Sequence, residues 1–319
     1  MTLRALAALA LLCTAAHAAG EFEWRLPRGF PEPAVPADNP MSAVKVALGA
    51  KLFADRRLSV TGDYSCQSCH SPSRAFTDGL ALSRGATGET LPLNAPTLIN
   101  AAYNASLGWR DPEVRTLEQQ MRGPLFNEHP RELGLAGHET EVVRRLAGDS
   151  ALAADFAAAF PGDPAPVSLD NVIRAIAAYE RTLLSAGSPF DRYVFGGDHA
   201  ALGPAQKRGM ALFFSARTGC AGCHAGINFA GEWIDRDHPR APPAFADTGT
   251  GGKMRVPTLR NLPRTAPYMH DGRFATLDDV LDHYEKLAAE PGDARLRRAS
   301  LTTEERDALR DFLVSLGDD

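Results

Sequence analysis

The chain has 319 residues, 44% of them hydrophobic, with 34 lysines and arginines against 39 acidic residues and a formal net charge of −5. A chain of this length and hydrophobic content is long enough for two domains with separate cores. The acidic balance and the lack of a basic stripe argue against nucleic acid as a partner.

Residues 1–18 are typical of a secretory signal. They contain Arg4, an apolar run from Ala5 to Ala16, and small residues at the expected cleavage site after Ala18. The run is too short to span a membrane, and no later segment is long and apolar enough to do so. Because residues 1–18 hold one arginine and no acid, cleavage moves the formal charge from −5 to −6. We expect an exported, periplasmic protein without a membrane span.

The first predicted helix covers residues 43–53 and has an apolar period, with Gly49 near its middle. A short loop then leads to the pentapeptide Cys66-Gln67-Ser68-Cys69-His70. Cys-X-X-Cys-His is the attachment signature of c-type haem. The two cysteines form thioethers with the haem, and the histidine binds the iron. The sequence therefore predicts a covalent haem c held by Cys66, Cys69 and His70.

The iron of this first haem lacks an obvious second protein ligand. An electron-transfer haem needs a second strong axial ligand, usually methionine or histidine. After His70 the next methionine is Met121 and the next histidine is His129. The loop that follows His70 thus offers no such ligand, and we expect a five-coordinate or water-bound iron that is open to peroxide or oxygen.

Peroxide chemistry requires a side chain that moves a proton from one peroxide oxygen to the other. Residues 119–134 form a turn-rich stretch with suitable groups. Its glutamine, glutamate and histidine residues are Gln119, Gln120, Glu128, His129 and Glu132.

A second amphipathic helix is predicted from Asp170 to Ser185, with Val172, Ile173 and Ile176 on its apolar side. Proline and glycine clusters at residues 28–40, 161–166, 187–204 and 239–252 predict loops or linkers. We place a domain boundary near residue 187.

The pattern of helix, loop and haem signature then repeats. A predicted helix over residues 205–214, with Gly209 inside it, precedes Cys220-Ala221-Gly222-Cys223-His224. The C-terminal segment predicts a closing helix, which a capping box of Thr302 and Glu305 begins. The sequence thus predicts a mainly α fold of two cytochrome c-like helical domains, residues 19–187 and 188–319, each with one covalent haem.

Over residues 42–316 the chain resembles the bacterial di-haem cytochrome c peroxidases, and within them the MauG branch. The resemblance rests on Gln120, on Gly123-Pro124-Leu125, on Glu132-Leu133-Gly134 and on the segment from Val256 to Gly272. It implies that Glu132 is the distal acid-base glutamate and Gln120 the distal glutamine. The turn before Glu132 is about two residues longer than the common family pattern, so Glu128 and His129 remain alternatives. The same turn is similar to that of MauG-like enzymes associated with methanobactin operons.

The resemblance also implies a sixth ligand for the His224 haem. Classical members place a methionine, and the MauG branch a tyrosine, fourteen residues beyond the histidine of Pro-Tyr-X-His-Asp-Gly; here that residue is Tyr284. A phenolate ligand stabilises ferric and higher oxidation states, whereas a thioether favours ferrous iron. The alternative ligands are Met254, Met269 and His283.

The resemblance alone implies two further sites, an electron relay and a calcium site. Trp109 matches a tryptophan that relays electrons between the haems. Apart from the resemblance, Trp233 is a candidate surface site for hole transfer to a partner. Asn94, Thr265 and Pro267 match the positions that bind a calcium ion between the domains, and oxygen ligands of this kind suit a hard cation.

The implied function is that of a MauG-like enzyme, which uses hydrogen peroxide to form high-valent iron and to oxidise a residue, expected to be tryptophan, of a periplasmic partner protein. The first alternative is a detoxifying peroxidase that takes electrons from a small cytochrome or cupredoxin. The second alternative, of another class, is a di-haem electron carrier without catalysis.

Overall fold

A computed structural model describes residues 22–231, 245–246, 253–287 and 300–318. The predicted signal at residues 1–18 and Trp233 lie outside these described residues. The fold is mainly helical, as the sequence predicted. The helices are α1 Ala43–Phe53, α2 Cys66–Cys69, α3 Leu117–Phe126, α4 Glu139–Ala147, α5 Ser150–Ala159, α6 Leu169–Glu180, α7 Pro189–Val194, α8 Pro204–Phe213, α9 Leu277–Leu287 and α10 Thr303–Val314.

The remaining elements are short. Two antiparallel strands of two residues each, β1 Phe245–Ala246 and β2 Met254–Arg255, pair with one another. Five single-turn 3-10 helices cover Arg56–Leu58, Pro72–Arg74, Ala101–Tyr103, Cys220–Gly222 and Leu262–Arg264. Within the described ranges no helix is long and apolar enough to cross a bilayer.

In the first half of the chain, α1 packs against α6. The Ser42 hydroxyl accepts the Lys45 N–H and starts α1 at the predicted residue. The two helices cross at Gly49, where an added β-carbon would lie 2.0 Å from the carbonyl oxygen of Ala175. Glycine is therefore needed for this close crossing, which brings the leucines and phenylalanines of the first core together.

In the second half, α8 packs against α10 in the same way. A β-carbon at Gly209 would lie 1.9 Å from the carbonyl oxygen of Ala308. The predicted capping box is present, with the Thr302 hydroxyl accepting the Glu305 N–H. A second core, rich in phenylalanine, forms around this pair. The predicted repeat thus corresponds to two helix pairs with the same glycine-dependent crossing.

Two predictions about local structure were wrong. The helix predicted from Asp170 to Ser185 ends at Glu180, because the chain beyond it bonds to a neighbouring loop: Ser185 N–H donates to the side-chain oxygen of Asn100 at 2.9 Å. The predicted loop at 187–204 contains α7, which Ser188 caps by accepting the Asp191 N–H. A tertiary contact explains the first difference, whereas α7 begins with a local capping box that the sequence analysis overlooked.

Buried polar contacts stabilise the second half and link it to the first. The Arg260 guanidinium, fully buried, donates to both carboxylate oxygens of Asp191 at 2.8 and 2.9 Å. The side-chain amide of Asn228 donates to the Asn104 side-chain oxygen at 2.8 Å. The N-terminal segment adds a further link, since Phe30 packs edge-on against Tyr103 and Phe195.

Candidate haem sites

Both Cys-X-X-Cys-His histidines are held in the same way. Nδ1 of His70 lies 2.9 Å from the carbonyl oxygen of Phe76, and Nδ1 of His224 lies 2.9 Å from that of Phe229. A carbonyl oxygen has no proton to give, so Nδ1 must be the donor in each ring. Nε2 is then unprotonated and free to bind a metal. Both phenylalanines adopt positive φ angles, 61° and 51°, which turn their carbonyls toward the histidines.

A second repeated motif, which the sequence analysis missed, supports these loops. The Thr97 hydroxyl donates to the Ala75 carbonyl at 2.5 Å, and the Thr258 hydroxyl donates to the Asn228 carbonyl at 2.6 Å. Each acceptor residue comes directly before the phenylalanine that holds the histidine. The signal was visible in the sequence as Pro96-Thr97-Leu98-Ile99-Asn100 and Pro257-Thr258-Leu259-Arg260-Asn261.

The four cysteines of the two motifs form no disulfide with one another, and all are half-buried. Burial raises the pKa of the Cys66, Cys69 and Cys220 thiols, that of Cys69 to about 12. These thiols are therefore protonated near neutral pH, unlike the low-pKa thiolates of redox-active dithiols. Protonated thiols next to an imidazole with a free Nε2 are the groups that haem c attachment requires.

Of the three candidate proton carriers near the first motif, only Glu132 is sheltered from solvent. Burial raises the pKa of Glu132 to about 7, whereas Glu128 and His129 are exposed. The Glu132 carboxylate also contributes to the raised pKa of both Cys66 and Cys69, so it lies close to the attachment site. This placement favours Glu132 over the two alternatives.

Hydrogen bonds fix the backbone around Glu132. Its carbonyl oxygen accepts the Ala86 N–H at 2.7 Å, and the next N–H, from Leu133, donates to the Pro124 carbonyl at 2.9 Å. Pro124 lies in α3, the helix that also carries the half-buried Gln120. The longer turn is thus accommodated by exposed residues 127–129, and the Glu132 loop remains attached to the helix of Gln120.

The second motif opens into a mostly apolar cavity. His224 and Tyr284 both line it, together with Met254 and Met269. Burial raises the pKa of Tyr284 to about 12, and the thiols of Cys223 and Cys220 add to this effect. The other predicted alternative, His283, packs against Phe274 with ring centroids 5.1 Å apart. The cavity therefore brings His224, Tyr284 and two methionines together.

Trp109 and Arg255 close one side of this cavity. The Arg255 guanidinium lies 5.1 Å from the centre of the Trp109 ring, and the Trp109 N–H donates to the Asn94 carbonyl at 3.2 Å. Arg255 is buried, which lowers its pKa to about 10, and its Nε has no hydrogen-bond partner in the part of the chain that the structure describes. An unpaired guanidinium N–H beside an apolar cavity fits an anionic group such as a haem propionate. The residues present thus fit haem.

Comparison with known proteins agrees with this geometry. Residues 43–199 match the family described as di-haem cytochrome c peroxidase. Methylamine utilization protein MauG of Methylorubrum extorquens is 37% identical over 280 residues, which cover 84% of this chain and 75% of that protein. The chain belongs to the di-haem cytochrome c peroxidase and MauG family.

Two other proteins of the family are also similar to this chain. Cytochrome c551 peroxidase of Pseudomonas aeruginosa is 36% identical over 258 residues, covering 76% of this chain and 72% of that protein. The crystal structure of a MauG-like protein associated with microbial copper homeostasis overlaps with a TM-score of 0.87 at 36% identity, covering 93% of this chain and 96% of that one. Membership of the family makes this protein a peroxide-dependent di-haem oxidoreductase with two haem c groups and hydrogen peroxide as a substrate.

The residues predicted to bind calcium in this di-haem peroxidase come from neighbouring segments. Asn94 N–H donates to the His270 carbonyl at 2.7 Å, three residues after Pro267, and the Asn94 side-chain amide donates to the Leu80 carbonyl at 2.7 Å. Thr265 begins the same segment. Among the described residues no group of three or more histidine, cysteine or acidic side chains forms a metal site. A cation here would depend on amide and carbonyl oxygens.

Proposed function

We propose that this enzyme uses hydrogen peroxide to oxidise a tryptophan residue of a partner protein, as a member of the MauG branch. The observation that carries the proposal is Tyr284, a half-buried tyrosine that faces the cavity of the second haem next to Cys220 and Cys223. A buried phenol ionises when a cation lies beside it, and a ferric haem is such a cation. A phenolate at that position would favour ferric and higher oxidation states.

In this proposal Glu132 provides proton transfer at the first site. Bound haem supplies an iron that takes up peroxide. With a pKa of about 7, the Glu132 carboxylate can accept the proton of one peroxide oxygen and return it to the other. The complete reduction consumes two protons and two electrons for each peroxide and yields two waters. We assign Gln120, on the adjacent α3, to orienting the bound peroxide.

Trp109 is proposed to carry electrons between the two sites. It lines the second cavity, and its indole N–H bonds to Asn94, a residue of the first half. The backbone N–H of Arg255 also donates to the Trp109 carbonyl at 2.9 Å. Trp109 is therefore fixed by contacts from both halves, which is what a relay requires.

Several further assignments belong to the same proposal. We propose that Asn94, Thr265 and Pro267 bind a calcium ion, with the Asn94 side-chain oxygen as one ligand. We propose domains over residues 19–187 and 188–319, since α1 and α6 precede residue 187 and α8 and α10 follow it. We propose export to the periplasm. Overlap with a MauG-like protein associated with microbial copper homeostasis supports a similar setting for this chain.

A detoxifying peroxidase is the second candidate. Met254 and Met269 line the same cavity as Tyr284, so a thioether ligand is available to the second haem. A thioether would favour ferrous iron and an electron-relay role, with electrons arriving from a small cytochrome or cupredoxin. Identities of 37% to a MauG and 36% to a cytochrome c551 peroxidase do not separate the two activities.

The deciding experiment adds one equivalent of peroxide to the fully ferric holoprotein without a reductant. We expect a long-lived oxidised absorption spectrum that decays when a tryptophan-containing substrate is added, with the product of an adjacent gene as the first protein to try. Peptide mass analysis then locates the oxidised residue. Peroxide turnover that begins only after reduction, together with oxidation of an added small cytochrome, would favour the detoxifying peroxidase instead.

A further inference from the structure

Glu180, the last residue of α6, is a buried carboxylic acid that none of the steps above uses. Its side chain is 6% exposed, and its Oε2 accepts no hydrogen bond from any of the described residues. A buried polar atom without a partner is uncommon in a native protein and calls for an explanation.

The internal repeat shows where this side chain points. Gly49 contacts Ala175 at the crossing of α1 and α6, and Gly209 contacts Ala308 at the crossing of α8 and α10. The two crossings are equivalent, so positions in α6 can be matched with positions in α10.

In each helix pair, the residue four positions after the contacting alanine also contacts the crossing glycine. The β-carbons of Tyr179 and Phe312 lie 2.9 and 2.7 Å from the β-carbon positions built at the two glycines. The next residues, Glu180 and Leu313, are therefore equivalent. Leu313 lines the cavity of the second haem. Glu180 thus occupies the place in the first haem site that an apolar leucine occupies in the second.

Electrostatics agrees with this position. Burial raises the pKa of the Cys66 thiol, and the Glu180 carboxylate is the next largest cause. Cys66 is a haem attachment residue, so the carboxyl lies near the edge of the first haem. Burial likewise raises the pKa of Glu180 to about 8.

The charged and titratable groups around Glu180 do not hold it in the ionised form. Those facing it are Cys66 from α2, Glu118 from α3, and Tyr179 and Arg181 from its own end of α6. Arg181 is the only cation among them, and its guanidinium donates to both oxygens of Glu118 at 2.8 and 2.7 Å. The nearest positive charge is thus already paired with another carboxylate.

We propose that Glu180 is a proton-exchanging carboxyl of the first haem site, neutral in the reduced protein and able to release its proton when the haem becomes more positive. Loss of one electron from the haem to an external oxidant is then accompanied by loss of one proton from Glu180 to solvent. Reduction reverses both transfers. The second site has the apolar Leu313 at the matching position. The inference depends on haem attachment at Cys66 and not on which substrate the enzyme oxidises.

Infrared difference spectroscopy of the holoprotein, recorded while an electrode and a soluble mediator oxidise the first haem, tests this directly. We expect the band of a protonated carboxyl to disappear on oxidation in the wild type and in Glu132→Gln. Glu180→Gln, which keeps the shape of the side chain, should lack the change. No band change in the wild type, or an unchanged band in Glu180→Gln, would overturn the proposal.

A potential measurement covers the case in which Glu180→Gln folds poorly. In the Glu132→Gln background, the midpoint potential of the first haem should fall as pH rises from 6 to about 8 and then level off, as the carboxyl ionises. Glu180→Leu, which copies the second half, should remove this slope. A slope that persists in Glu180→Leu would contradict the proposal. Neither measurement uses peroxide or a partner protein, so failure here is distinct from failure of the proposed function.

Discussion

The two halves of this protein share a scaffold but differ in the side chains that face the haems. Each half crosses two helices at a glycine, holds a histidine through a phenylalanine carbonyl, and supports that loop with a threonine hydroxyl. These shared contacts orient the histidine of each motif. They cannot account for any difference in reactivity between the two haems.

The groups outside the repeat are the ones that can make the halves chemically different. The first half has two sheltered carboxyls, Glu132 and Glu180, with raised pKa values. The second half has Tyr284 and Arg255 at its cavity, and Leu313 where the first half has Glu180. Sheltered carboxyls with raised pKa values thus collect in the first half, and a phenol lies at the cavity of the second. The shared scaffold makes the two sites similar, and these side chains make them unequal.

Removing the Glu132 carboxyl should have the largest effect of the changes considered, a loss of reactivity with peroxide. We predict that Glu132→Gln lowers the rate of reaction with peroxide by about 10²–10⁴-fold, because a positioned proton carrier contributes that much. Stopped-flow absorption of the ferric holoprotein measures the rate. Glu128→Gln, which changes an exposed glutamate in the same turn, is the matched control and should react like the wild type. Equal losses in the two variants would shift the proton-carrier role away from Glu132.

Breaking the buried ion pair of the second half should have the next largest effect, a loss of stability. Arg260→Met leaves Asp191 buried without its cation, and we predict a loss of about 3–5 kcal/mol in the free energy of unfolding. Chemical denaturation of the holoprotein measures it. The first half has Ile99 at the matching position, so the pair Arg260→Ile with Asp191→Leu should lose less than Arg260→Met alone.

An exposed pair provides the reference for that experiment. Arg122 and Asp170 lie 2.9 Å apart with both side chains exposed, and Arg122→Met should cost about 0–1 kcal/mol. If Arg260→Met costs no more than Arg122→Met, the buried pair does not stabilise the second half.

The glycine crossings should respond alike. We predict that Gly49→Ala and Gly209→Ala each destabilise the protein by about 1–3 kcal/mol, because the added methyl group overlaps a carbonyl oxygen of the partner helix. Thermal or chemical unfolding measures the change. Gly148→Ala is the control, since a β-carbon there would lie 3.4 Å from its nearest neighbour. A large loss of stability from alanine at only one crossing would show that the two helix pairs are not equivalent.

The pH dependence should be the smallest effect. Glu132 accepts a proton only when ionised, and burial raises its pKa to about 7. The rate of peroxide reaction should therefore fall by about tenfold for each pH unit below 7 and be constant well above it. Stopped-flow rates between pH 5 and 9 test this. Glu132→Gln should remove this fall in rate below pH 7. A pH profile that the substitution leaves unchanged would point to another titrating group.

Local sequence signals were sufficient for much of the fold. Apolar periods located α1 and α8 to within a residue, and the capping box of Thr302 and Glu305 located the start of α10. The end of α6 was not predictable, because Asn100, a residue 80 positions earlier, bonds to the chain that follows the helix.

The sequence also could not identify side chains whose role depends on their neighbours in three dimensions. Nothing in the local sequence separates Arg255 or Glu180 from ordinary surface charges. Only the structure shows that both are buried with an unpaired atom. The repeated Pro-Thr-Leu-X-Asn motif, in contrast, was visible and could have been found by comparing the halves.

The central claim, that the first iron is open and Tyr284 closes the second, is tested most directly by the ferric spin states. In the wild-type ferric holoprotein, electron paramagnetic resonance should detect one high-spin and one low-spin haem. Tyr284→Phe should convert the second haem to high spin, whereas Met254→Leu and Met269→Leu should leave both signals unchanged. A low-spin signal that survives in Tyr284→Phe but disappears when either methionine is replaced would contradict the account.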